Sequence, residues 1–274
     1  MVVEIQVAMA DTYTKTTVMT ETPLVITSGY GVYGLVLWVA TDSGIKMDEN
    51  NNVYALTDKT GNFTLTASDP DRQPTFVPNV LNGRPVLRFN PDQSLYSADE
   101  FGTALDGAMT MIVLAKTNAS RTFFQYPLYL GQNRTSHANR ALAFYDGKEV
   151  FDGQWIGFHG PPVVRNSFVM IGITVNADLN QAFFYQNGAQ MMVSGLSDEN
   201  GKAKFESLSP GVTLGAAADP CRGWLGDIAE TLVFDRQLSP GEMQSIWSSL
   251  SSKYGLQQQT AITTATSPVQ PNQR

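Results

Sequence analysis

Cysteine and histidine are nearly missing from this chain of 274 residues, which has one of the first and two of the second. The lone Cys221 excludes an internal disulfide and leaves no cysteine pair for a metal. His137 and His159 have no ligand partner at metal-binding spacing. No His-Glu-x-x-His, Gly-x-Ser-x-Gly or phosphate-cradling glycine run occurs. Charge is sparse at 16% of residues, and its net of −7 argues against a nucleic-acid or anionic-membrane partner. No apolar run is long enough to span a bilayer. The start, MVVEIQVAMADTYTK, carries Glu4 early and lacks a basic stretch before an apolar core, so it does not read as a secretion signal.

Apolar residues and turn residues are plentiful. A hydrophobic content of 42% suits a large core that needs no cross-links. From Leu35 to Phe234, short apolar runs alternate with turn signals: Asn50-Asn51-Asn52, Asp69-Pro70-Asp71, Asn82-Gly83, Asp146-Gly147, Asp152-Gly153, Asn187-Gly188 and Asn200-Gly201. Asn-Gly and Asp-Gly tolerate the positive φ of two-residue hairpin turns, and Asn187-Gly188 between Gln181–Tyr185 and Met191–Val193 is the clearest case. This spacing predicts an all-β, two-sheet antiparallel jelly-roll sandwich.

One helix closes the pattern. Ser239 is placed as N-cap, Pro240 as first helical residue, and Glu242 three residues after the serine completes a capping box. Met243, Ile246, Trp247, Leu250 and Tyr254 form one apolar stripe, and Gly255 suits the left-handed C′ position. In the strand before it, alternation puts Ile228, Glu230, Leu232 and Phe234 on one face. Residues 1–34, rich in threonine, read as an N-terminal arm or an extra edge strand, and 35–256 as the jelly roll. Residues 257–274 contain no acidic or aromatic residue and cannot bury enough surface to offset chain entropy, so they are expected to be disordered or to dock on a partner.

Several segments together resemble laminin-G-like domains of the concanavalin A-like lectin/glucanase superfamily. They are Leu37-Trp38-Val39-Ala40, Asp58-Lys59-Thr60-Gly61-Asn62, Leu81-Asn82-Gly83-Arg84-Pro85-Val86-Leu87-Arg88-Phe89, Met109–Ala115, Gly226-Asp227-Ile228-Ala229-Glu230 and Lys253-Tyr254-Gly255-Leu256. The resemblance spans roughly Leu35 to Leu256 and implies the sandwich fold, but a fold of this kind carries many functions. Hydrolases of the superfamily use a strand motif Glu-x-Asp-x-(x)-Glu, whose outer acids serve as nucleophile and acid/base. Here Leu225 stands at the nucleophile position, so no catalytic residue is expected, and Asp227 and Glu230 are expected to accept hydrogen bonds from neighbouring loop backbone.

For ligand binding, the aromatic middle segment is the candidate, with Trp155, His159, Tyr126 and Arg165 as the residues expected to meet a sugar. The run Asp48-Glu49-Asn50-Asn51-Asn52 has the oxygen density calcium favours, and relatives of this kind sometimes bind calcium. It lacks a regular ligand spacing and reads as a polar turn, so no cofactor is expected, with calcium the one candidate. The missing export signal, the flanking extensions and the incomplete catalytic motif lead to an expected non-enzymatic role on a bacteriophage particle, as a capsid decoration or tail-associated protein. Its partners would be copies of itself or other virion proteins, and its location virion or extracellular. The alternative is a carbohydrate-binding module or host-receptor adhesin for a cell-surface glycan, with a glycoside hydrolase third.

Overall fold

The computed structural model describes residues 3–9, 12–18, 30–118, 123–132, 137–198, 204–217 and 222–256. Cys221, the Asn200-Gly201 turn and the segment 257–274 lie outside them. Two antiparallel sheets pack face to face, as the turn spacing predicts. The eight-stranded sheet runs Ala189–Gly195, Gln181–Gln186, Val169–Val175, Met109–Thr117, Gly226–Phe234, Arg84–Phe89 and Thr75–Leu81, with Leu35–Ala40 also paired to Gly226–Phe234. The ten-stranded sheet runs Ser197–Asp198, Ile156–Pro162, Lys148–Asp152, Arg140–Tyr145, Gln125–Leu130, Val212–Leu214, Leu95–Ser97, Thr64–Thr66, Val53–Thr57 and Ile45–Met47. Near the N-terminus, Val3–Met9 and Thr12–Val18 pair with each other as a separate two-stranded sheet.

The main core lies between the sheets, where Leu37, Val113, Ile171, Phe184 and Val233 meet Leu128, Leu142, Phe151, Phe158 and Leu214. A second core lies on the outer face of the eight-stranded sheet, beneath the helix Pro240–Tyr254. The strands Met109–Thr117, Val169–Val175 and Gly226–Phe234 are therefore covered on both faces. That double burial explains why they read as unbroken apolar runs rather than alternating ones.

The helix follows its sequence signals. Ser239 Oγ accepts from Glu242 N, and the Glu242 carboxylate accepts from Ser239 N at 2.8 Å. Met243, Ile246, Trp247, Leu250 and Tyr254 are all buried. Gly255 ends the helix at φ 63°, where a Cβ would also press on Asn82 at 3.0 Å. Arg236 clamps the Glu242 carboxylate at 2.5 Å, which holds that carboxyl down at about 2.

One strand departs from simple alternation. Leu114 pairs with Glu230 but Ala115 pairs with Ile228, so Ala229 is an extra residue, a β-bulge. Ile228 consequently points into the inter-sheet core, while Ala229, Leu232 and Phe234 join the core under the helix. The expectation that Ile228 shares the face of Glu230 is corrected by this bulge. The bulge also marks a change of neighbour, since Gly226–Ile228 pair with Arg84–Phe89 and Glu230–Phe234 with Leu35–Ala40. Thr41 bridges the junction, its hydroxyl lying 2.7 Å from Pro85 O and 3.1 Å from Ala229 O.

Candidate functional site

The carboxylates of the Gly226–Glu230 motif are structural. Asp227 accepts from Arg88 at 2.7 and 3.1 Å and pairs with Lys116 at 2.9 Å. Burial raises its carboxyl, but these cations outweigh burial and hold it below the ordinary aspartate value. Glu230 is fully buried and accepts from Trp38 Nε1 at 2.6 Å, Lys253 Nζ at 2.7 Å, Tyr254 Oη at 2.7 Å and Tyr30 Oη. Its partners are thus side chains, not the loop backbone the sequence suggested. The bulge at Ala229 aims Glu230 under the helix end, where Lys253 and Tyr254 of the Lys-Tyr-Gly-Leu segment wait. The second acid nearby, Asp42, sits beyond the Lys253 ammonium, 3.1 Å from it. That ammonium occupies the space a sugar bond would need between two acids.

The open surface lies on the far side of the molecule, on the outer face of the ten-stranded sheet. A small cluster of Tyr126, Tyr129, Ala141, Ala143, Val150 and Ala217 covers this face, with Phe124 packed against it. Phe124 stacks on Tyr145 at 4.5 Å between ring centroids, and Tyr126 meets Tyr129 edge-on at 5.4 Å. Beside this platform is a cleft of about 340 Å³, within the range of small-molecule sites. Its wall is formed by Phe124, Asp152, Gln154, Trp155, His159 and Arg222 over a floor of the Lys148–Asp152 and Ile156–Pro162 strands.

The hairpin between those two strands positions the site. Phe151 and Phe158 pair across the ladder and point inward, so their neighbours Val150 and His159, also paired, point out. The turn is not Asp152-Gly153, as the sequence suggested. Gly153 N donates to Ile156 O at 2.7 Å, and the two turn residues are Gln154 and Trp155, at φ 59° and 72°. Gly153 is needed just after the strand instead, because a Cβ there would lie 2.3 Å from the Phe205 ring. The other two-residue turns use Asn82-Gly83, Asp146-Gly147 and Asn187-Gly188, whose residues suit positive φ. Gln154-Trp155 does not, and two consecutive ordinary side chains in left-handed backbone cost free energy.

That strain is held in place by hydrogen bonds. Gln154 N donates to Asp152 Oδ1 at 2.8 Å, and Gln154 Oε1 accepts from the buried Asn139 amide at 3.0 Å. Tyr126 Oη donates to Asp152 Oδ2 at 2.5 Å, and Arg222 Nη1 lies 3.4 Å from that same hydroxyl. Burial, then the Asp152 charge, push the Tyr126 phenol up, so it stays a donor. The outcome is a tryptophan that is 63% exposed at the rim of the cleft. On the same strand, Glu149 is wholly buried, and burial drives its carboxyl well above the glutamate range against a partial opposing pull from Gln186.

Of the residues expected to meet a ligand, the structure brings Trp155 and His159 together on the cleft wall. Tyr126 is buried and reaches the cleft wall through Asp152 rather than from the surface. Arg165 stands elsewhere, beside Gly147 at the opposite turn of the Lys148–Asp152 strand, about 13 Å along it. Asp152, Gln154 and Arg222 line the cleft without having been singled out for it. Asp152 reads as a turn residue in sequence, and Arg222 is distant in the chain. The calcium candidate is a closed turn: Asp48 accepts from Asn50 N at 2.9 Å, Asn52 N at 2.8 Å and Asn52 Nδ2 at 2.9 Å, bonds that lower its carboxyl. Among the described residues, no group of three or more histidine, cysteine, aspartate or glutamate side chains could hold a metal ion.

No protein-family model and no curated protein matches the sequence. Solved structures do match in fold. A GH54 α-L-arabinofuranosidase aligns with a TM-score of 0.58 at 17% identity, over 74% of this chain and 51% of that one. Trypanosoma rangeli sialidase, in complex with sialic acid, aligns with a TM-score of 0.56 at 12% identity, over 80% of this chain and 33% of that one. The chain therefore spans about half the length of the first and a third of the second. At these identities the likeness establishes a β-sandwich of jelly-roll type. It also corrects the functional expectation. The matching structures named here are carbohydrate-active enzymes, and that finding overturns the expectation of a non-enzymatic bacteriophage particle protein.

Proposed function

We propose that this chain is a carbohydrate-recognition module, and that its glycan site is the cleft beside Trp155. In this reading a sugar ring stacks on the exposed indole, and Arg222, His159 and the Gln154 amide meet its hydroxyls. Tyr126 and Asp152 position the turn from below. We further propose that the module is laminin-G-like. The residues carrying that resemblance also carry the ion pairs described above: Arg88 meets Asp227, and Lys253 with Tyr254 meets Glu230.

The observation that supports the reading most is the display of Trp155. A large apolar side chain is 63% exposed, on a strained turn, at the rim of a cleft. Strain of this kind persists where surrounding structure fixes it, and it clusters at ligand sites. An aromatic ring over a sugar face buries apolar C–H surface while leaving the hydroxyls to polar neighbours. The carbohydrate-active identity of the structural neighbours points in the same direction.

A glycan array with parallel assay of released reducing ends tests the proposal. Binding to at least one glycan class is expected, and Trp155→Ala should abolish it while the fold persists. Silence across every class, or binding that survives Trp155→Ala, would overturn the assignment.

A further inference from the structure

The surface beside Trp155 continues to a second aromatic end. Phe124 belongs to the cleft wall, and its ring also stacks on Tyr145 at 4.5 Å between centroids. Tyr145 pairs with Lys148 at the start of the Lys148–Asp152 strand, and the Gln154-Trp155 turn follows that strand's other end. About 13 Å of strand separates the two ends, more than one sugar ring can span. Both ends display aromatic side chains: Trp155 at one, and at the other Tyr145, 41% exposed, and Phe123, 73% exposed.

The path between them runs over outward-facing side chains. Phe151 and Phe144 turn into the inter-sheet core, so alternation sends Lys148, Val150 and Asp152 outward, with Ala143 and Tyr145 on the same face of the neighbouring strand. His159 is exposed opposite Val150, near the middle of the path, and Lys148 is exposed at the Tyr145 end. Arg165 lies at that end too, its Nη2 2.9 Å from where a Cβ on Gly147 would stand.

We propose, building on the glycan-site reading of the Trp155 cleft, that the site takes several linked sugars of a linear glycan chain laid along the Lys148–Asp152 strand, with Trp155 and Tyr145 as two stacking stations. Phe124 joins the stations, because one ring both lines the cleft and orients Tyr145. Phe124 is itself held, with Tyr126 stacked at 5.9 Å and the Arg222 guanidinium 5.6 Å from its centroid. Each exposed ring takes the apolar C–H face of one sugar. His159, Lys148 and Arg165 carry N–H donors for hydroxyls along the path and at its far end.

Titration calorimetry of the full chain with gluco-, xylo-, manno-, galacto- and arabino-oligosaccharides, each from disaccharide to hexasaccharide, provides the test. In a series that binds, the hexasaccharide should bind about tenfold tighter than the disaccharide. Tyr145→Ala should remove most of that gain, and Tyr145→Phe should keep it. Tyr54→Ala, which removes an exposed tyrosine elsewhere on the same sheet, should leave the gain unchanged. Equal affinities across a series, with binding still lost in Trp155→Ala, overturn the second station and leave a single-sugar cleft standing. A gain that survives Tyr145→Ala overturns it too. Silence from every series overturns the extended site, and silence across the whole glycan array overturns the Trp155 assignment with it.

Discussion

The two outer faces of this sandwich carry similar materials to opposite ends. On the eight-stranded sheet, Leu232 and Phe234 are sealed against Trp247 and Tyr254 of a capped helix, and the acid of the motif, Glu230, is met by hydroxyl, indole and ammonium donors. On the ten-stranded sheet, no helix among the described residues covers the cluster of Tyr126, Tyr129 and Phe124, and Trp155 stands out into solvent beside a cleft. The lesson is that aromatic content alone does not locate a site. What distinguishes the open face is an aromatic residue that the fold holds away from the core at a backbone cost.

The first way to break the comparison is to remove one tryptophan from each face. Trp247→Ala should cost about 3–5 kcal/mol, because a buried indole leaves a cavity under the helix. Trp155→Ala should shift stability by no more than about 0.5 kcal/mol, as exposed positions do. Urea unfolding of both variants measures the contrast, and equal losses would refute it. The second is Glu230→Ala. If the motif acid is a structural hub, its loss should cost about 3–5 kcal/mol, since it removes the buried carboxylate that Tyr30, Trp38, Lys253 and Tyr254 share, and glycan binding should persist wherever the protein remains folded.

A third prediction concerns pH. Burial raises the folded-state carboxyl of Glu149 far above its unfolded value of 4.5, so its contribution to stability is full below that value and is lost as pH rises toward the folded value. Glu149→Gln should remove that loss, so denaturation midpoints of the variant should fall less on the alkaline side than those of the wild type. Glu242 works in the opposite sense. Its carboxyl is held at about 2 by Arg236, so its contribution is present above 4.5 and lost as pH falls toward 2. Glu242→Gln should flatten that acid limb. The last prediction separates stability from binding. Trp155→Gly should raise stability by about 1 kcal/mol, by relieving left-handed backbone, while abolishing glycan binding.

Much of the fold was legible in the sequence because its signals are local. The capping box, the Gly255 terminus and the Asn82-Gly83, Asp146-Gly147 and Asn187-Gly188 turns follow from residue chemistry within a few positions. The bulge at Ala229 was not legible, since it arises where one strand exchanges Arg84–Phe89 for Leu35–Ala40 as its neighbour. The turn at Gln154-Trp155 was misplaced by two residues for a similar reason. Asp152-Gly153 satisfies the local rule, but contact with Phe205, distant in sequence, requires a glycine at the strand end, before the turn. The cleft inherits that limit: Trp155 and His159 come from one hairpin, while Arg222 reaches it from far down the chain.

Intrinsic fluorescence during saccharide titration tests the central claim most directly. Trp155 is 63% exposed, whereas Trp224 is wholly buried and Trp247 is 3% exposed, so a ring stacking in the cleft should shift the emission of Trp155. The account predicts a saturable shift with a glycan identified by array binding, and none in Trp155→Ala. A glycan that binds the wild type without perturbing that emission, or that perturbs Trp155→Ala equally, would contradict it.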